Sequence, residues 1–114
     1  MKDNILIIGG FGDIGSSITK KFSESYQVTS TSRDDLDLSS KISISNFLRT
    51  NKKIFKHIIF CAAENNPNYF KELSYEEIYK SIQVNLLSIT EILHFFYKNK
   101  MISKNSTITI ISSI

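Results

Sequence analysis

The sequence predicts a doubly wound, Rossmann-like α/β domain, with a parallel sheet of five strands in a three-layer α/β/α arrangement. Two observations predict it. Short, wholly apolar runs alternate along the chain with amphipathic segments, and a glycine cluster stands where the first run meets the first amphipathic segment. Apolar runs without polar alternation are strands covered on both faces, and helical crossovers between parallel strands provide that cover.

Ile5-Leu6-Ile7-Ile8, between Asn4 and Gly9, is the first strand. After the glycine cluster, Ile14, Ile18 and Phe22 recur every four residues, the buried stripe of a helix. Gln27 to Ser30 is a second strand and Leu36 to Leu38 a very short third, followed by a helix carrying Ile42, Phe47 and Leu48. His57 to Cys61 is a fourth strand, too apolar to leave one face in water. Ser74-Tyr75-Glu76-Glu77 has the spacing of a helix-capping box. From there Ile78, Ile82, Leu86, Ile89, Leu93 and Phe96 trace one long helix with a continuous apolar face. Thr107 to Ile111, β-branched and uncharged, is the last strand and an edge of the sheet.

Composition bounds the rest. The 114 residues are one domain, 1–114. Leu, Ile, Val and Phe make up 37 of them, enough apolar surface to exclude intrinsic disorder. No apolar run reaches the ~20 residues of a membrane-spanning helix, so no membrane association is expected. One Cys and two His supply neither a disulfide nor a metal framework, and a cytoplasmic location follows as the expectation. A net charge of +3, without a basic block interleaved with aromatics, argues against nucleic acid.

Residues 9 to 15 read GGFGDIG. Gly10, Gly12 and Gly15 fit G-x-G-x-x-G, while Gly9, Gly12 and Gly15 fit G-x-x-G-x-x-G. Glycines let the backbone turn tightly and approach a pyrophosphate, and the helix starting near Asp13 aims free N–H groups at the anion. A strand directly before and an amphipathic helix directly after are the context that gives the motif its meaning. Gly9, Gly10, Phe11, Gly12, Asp13, Ile14 and Gly15 are therefore candidate dinucleotide ligands.

Taken in order, these motifs resemble the short-chain dehydrogenase/reductases over essentially the whole chain. Asp37-Leu38 resembles the family's acidic residue near the adenine ring. Cys61-Ala62-Ala63 sits where the family has N-N-A-G, Val84-Asn85-Leu86 resembles its helix asparagine, and Ile111-Ser112-Ser113 resembles its serine strand. The resemblance implies an NAD(P)-dependent oxidoreductase moving hydride between cofactor and a small carbonyl or alcohol. It gives Asn85 and Ser113 catalytic roles, the first holding a proton-relay water and the second bonding the substrate carbonyl. It also implies a strand order of three-two-one-four-five.

The pattern departs at Asp13 and Glu64, where glycines are usual, and in the short span from Arg33 to Asp37. The single-domain and extended, nucleotide-sugar-processing branches both stay open. Ser32 and Arg33 follow the second strand, where such a fold places the adenosine ribose. A guanidinium there pairs with a 2′-phosphate, which makes NADP the expected cofactor, with NAD the alternative.

The family's catalytic tyrosine and lysine lie beyond the serine strand, and the 114 residues stop one position after Ser113. The expectation is a truncated, inactive cofactor half, completed by a separately encoded C-terminal half or by homo-oligomerisation. The alternative is a non-catalytic dinucleotide-binding module.

Overall fold

The computed structural model describes residues 2–62 and 70–111. In chain order the regular elements are β1 (Asn4–Ile8), α1 (Asp13–Phe22), β2 (Gln27–Thr31), α2 (Lys41–Thr50), β3 (Phe55–Phe60), a 3-10 turn (Phe70–Glu72), α3 (Tyr75–Ile82), a π-helical segment (Gln83–Leu87), α4 (Ser88–Lys98) and β4 (Ile102–Ile110). The strands form one sheet in the order β2-β1-β3-β4, every pairing parallel. Asn4 pairs with Gln27 and Ile8 with Thr31 on one side of β1, while Ile5 pairs with His57 and Ile8 with Phe60 on the other. A central first strand flanked by the second and fourth expected strands is the predicted winding.

Period-two alternation divides β1 and β3 between two cores. Leu6, Ile8, Ile58 and Phe60 pack with Ile44 and Leu48 of α2 and with Ile92 and Phe96 of α4. Ile5, Ile7 and Ile59 face the opposite way, against Ile18 and Phe22 of α1. Each fully buried side chain of this kind contributes roughly 1.5–3 kcal/mol. Among the described residues, no helix is long and apolar enough to cross a membrane.

Three expectations are corrected. Leu36 to Leu38 is not a strand, so among the described residues the sheet has four strands rather than five. Both leucines are buried, but the backbone around them is satisfied locally. The Asp37 N–H donates to the Ser43 hydroxyl (2.9 Å), and the Ser39 N–H donates to the Asp37 carboxylate (2.9 Å). Those bonds replace a ladder.

The second correction concerns helix faces. Ile14 and Ile42 are exposed, the latter at 75%, and α2 turns Ile44 and Leu48 inward instead. The long helix is continuous but not regular. Its α3 portion, capped by the Ser74 hydroxyl accepting from the Glu77 N–H, buries no residue. The π turn adds residues to one revolution and shifts the phase of the helix. Gln83, Val84, Ser88, Ile92 and Phe96 therefore face inward, leaving Ile78, Ile82 and Leu86 exposed.

Third, β4 begins at Ile102, five residues before the predicted start, and bulges. Phe55 pairs with Ile102 but His57 with Thr107, and Asn105 takes a left-handed φ of 61° in the bulge. β4 is an edge among the described strands. Ile108 packs against the core while Ile110 is exposed.

Candidate functional site

The loop from β1 to α1 is fastened to the end of β2. The N–H groups of Gly9 and Gly10 both donate to the Thr31 carbonyl, at 3.2 and 3.1 Å. Beneath Gly10, the hydroxyls of Thr19 and Ser30 bond to each other at 2.7 Å.

The four glycines divide into two kinds. Gly9 holds a positive φ of 83°, and a β-carbon there would lie 2.6 Å from the Ala62 nitrogen. A β-carbon on Gly10 would enter the Ser30 side chain, and one on Gly15 would overlap the Gly9 carbonyl oxygen and stand 2.8 Å from Gly10 Cα. These three are required by the protein's own packing. Gly12 is not. The nearest atom to its missing β-carbon is 3.9 Å away, and its φ of −77° and ψ of 179° suit any residue.

Gly12 is also the N-cap of α1, with no side-chain hydrogen bond closing that end. First-turn N–H groups of a helix have no intrahelical acceptor and carry the positive end of its dipole. A backbone open at Gly12, above free N–H donors, is a cradle for an anion.

The cradle opens on a cleft of about 310 Å³. Gly9, Gly12, Ser32 and Arg33 line it, as do Asp37, Leu38, Cys61 and Ala62. Eight of the predicted cofactor residues thus converge from the C-terminal ends of β1, β2 and β3 and from the turn before α2. Gly10 and Gly15 are buried under the loop, while Phe11, Asp13 and Ile14 are exposed on its outer side. Ala63, Ser112 and Ser113 lie outside the described residues.

Two lining residues escaped the sequence reading, Leu36 and Val84. Leu36 precedes Leu38 by two, a spacing that marks a pair on one side of an extended segment. Val84 reaches the cleft because the π turn rotates it inward.

The acidic groups of the rim are arranged by hydrogen bonds. Asp35 Oδ2 accepts from the N–H (2.9 Å) and hydroxyl (3.0 Å) of Ser32, which hold its carboxyl below the usual range. That carboxylate is turned into its own loop. Asp37 Oδ1 accepts from the Ser39 hydroxyl (2.6 Å) and N–H (2.9 Å). The Ser39 hydroxyl, then its N–H, lower the Asp37 pKa against a smaller desolvation, with Arg33 and Lys80 adding attraction. Burial pushes the Cys61 thiol up, so it stays protonated.

Asn85 sits on the π-helical segment with its side chain exposed. Its Nδ2 donates to the Ser81 hydroxyl at 3.2 Å.

A parallel doubly wound sheet with a glycine loop at its switch point defines a Rossmann-like class of fold. Solved structures that share it in detail include short-chain dehydrogenases. A short chain dehydrogenase family protein from Francisella tularensis matches with a TM-score of 0.84 at 20% identity, over 99% of this chain and 52% of its own. A short-chain dehydrogenase/reductase from Burkholderia multivorans with bound NADP matches with a TM-score of 0.83 at 19% identity, over 99% of this chain and 59% of its own. A small-chain dehydrogenase in complex with NADPH gives a TM-score of 0.82 at 21% identity, over 99% and 52%. The chain thus has the short-chain dehydrogenase/reductase fold and spans between half and three fifths of these structures' length. No family model and no curated protein sequence matches it.

Proposed function

We propose that this chain binds a nicotinamide dinucleotide in the cleft and is the cofactor-binding portion of a short-chain dehydrogenase/reductase. The observation that carries the reading is the contrast at Gly12: three glycines of the loop serve internal packing, and the fourth leaves open backbone above a helix N-terminus. Such room suits a pyrophosphate, which needs close backbone approach and free N–H donors.

Asp37 and Leu38 then face the adenine, and Arg33 takes the ribose 2′-phosphate. The Asp35 carboxylate is turned to Ser32, and the Arg33 guanidinium beside the cleft favours NADP over NAD. NADP in the Burkholderia structure and NADPH in the small-chain dehydrogenase support that choice.

The chemistry a bound nicotinamide brings is hydride transfer to or from a carbonyl or alcohol carbon. Asn85 and Ser113 are proposed to serve the proton path and the substrate oxygen. The proposed location is the cytoplasm. Titration of the 114-residue chain with NADPH and NADH, followed by nicotinamide fluorescence, tests the reading. Saturable binding with NADPH tighter supports it, and absence of binding by either at millimolar concentration overturns it.

A further inference from the structure

Gln83 is the most deeply buried polar side chain of the long helix after Ser88, at 3% exposure, and it lies at the start of the π-helical segment. Its Nε2 donates to the Leu38 carbonyl at 3.3 Å, and its Oε1 has no partner. Exchanging the two amide atoms would set oxygen against oxygen, so the carbonyl fixes the orientation. A leucine of similar size would leave no orphaned acceptor on the helix. What the amide adds is its grip on Leu38.

That carbonyl belongs to the peptide unit joining Leu38 to Ser39. The N–H of the same unit donates to Asp37 Oδ1 at 2.9 Å. In a trans peptide the two groups point in opposite directions, and all described peptides here are trans. Gln83 therefore holds one edge of the unit and Asp37 the other. Asp37 and Leu38 line the cleft, with Val84, the residue after Gln83, beside them.

We infer that Gln83 is a positioning residue for the adenine end of the cleft: by fixing the Leu38–Ser39 peptide from the helix side, it sets the Asp37 carboxylate that meets the ligand. Oδ1 is committed to Ser39, which leaves Oδ2 for an exocyclic amino group. The adenine assignment rests on the dinucleotide reading, whereas the mechanical link from Gln83 to Asp37 does not. The link also ties the ligand cleft to the helical turn that carries Asn85.

The test uses Gln83→Leu in the full 114-residue chain. The charges that act on Asp37 are those of Arg33 on its own loop and Lys80 on α3, and neither is altered. Carboxyl NMR titration should show the Asp37 pKa rising towards its ordinary value as the Ser39 N–H loosens. The Ser39 amide should exchange roughly tenfold faster, the factor one net hydrogen bond supplies, with β1 amides unchanged. A residue that served only packing would move neither selectively. If either readout stays at its parent value in folded Gln83→Leu, the inference is overturned. Should that variant fail to fold, Gln83→Met, which keeps the length and drops the donor, is read by the same two criteria. Adenosine monophosphate, titrated into parent and variant, separates the two claims. Weaker binding by the variant supports both. A parent that binds none contradicts the dinucleotide reading, while the carboxyl titration still decides the role of Gln83.

Discussion

The carbonyl oxygen of Gly9 occupies the space that a β-carbon on Gly15 would need. Helix α1 can lie this close to the end of β1 only because residue 15 has no side chain. Gly15→Ala should therefore cost about 3 kcal/mol through overpacking against backbone that cannot step aside. Urea unfolding measures it, and a loss below about 0.5 kcal/mol would mean the loop yields more readily than its bonds to Thr31 imply.

Gly12 should behave in the opposite way. With 3.9 Å to the nearest atom and an extended backbone, Gly12→Val is expected to lower stability by no more than about 1 kcal/mol, mostly through a poorer N-cap. Dinucleotide affinity should fall at least tenfold, because the branched side chain fills the approach to the pyrophosphate. Paired melting and titration experiments would show stability and binding separating.

Arg33→Ala should erase the preference for the phosphorylated cofactor. NADPH affinity is expected to drop about tenfold, the scale of one charge-assisted pair at an exposed site, with NADH affinity unchanged. Equal affinity for both cofactors in the parent would refute the assignment of Arg33 and leave the loop untouched. The NADPH effect should shrink as salt rises.

Asp37 predicts a pH dependence. Its folded pKa is lowered, chiefly by the Ser39 hydroxyl and N–H, from a reference of 3.8. A group depressed in the folded state stabilises above its unfolded pKa and loses that contribution as pH falls through the folded value. Asp37→Asn should therefore be less stable than the parent at pH 6, and the gap should narrow as pH falls below 3.8 and close once it passes the lowered folded pKa, where the native carboxylate protonates. Melting temperatures from pH 6 to pH 2 check the sign.

Much of this was legible in the sequence because it rests on strong local signals. Ile5 to Ile8 carries no polar residue, so both faces had to be covered, and the glycines that follow leave few alternatives to a strand-loop-helix turn. The winding followed from the same alternation. What escaped is non-local. The i, i+4 spacing of Ile78, Ile82 and Leu86 assumes an unbroken α-helix, and a π turn leaves no mark on hydrophobic periodicity. Leu36 to Leu38 reads as apolar enough for a strand, yet the Asp37 carboxylate takes the Ser39 N–H and the Ser43 hydroxyl takes the Asp37 N–H first. The glycine motif located the loop correctly, but only geometry shows that Gly12 differs from its three companions. Gln83 was invisible: a polar residue before Val84 reads as solvated until its amide is seen against Leu38.

The most direct test of the central claim, that the cleft is a dinucleotide site, is to map NADPH on the ¹⁵N-labelled chain by amide chemical shifts. Saturable shifts are expected at Gly9 to Gly15, Arg33, Leu38 and Ala62, with the opposite end of the sheet, at Asn4, Phe55 and Ile102, silent. Shifts confined to other surfaces, or none at saturating NADPH, would contradict the claim.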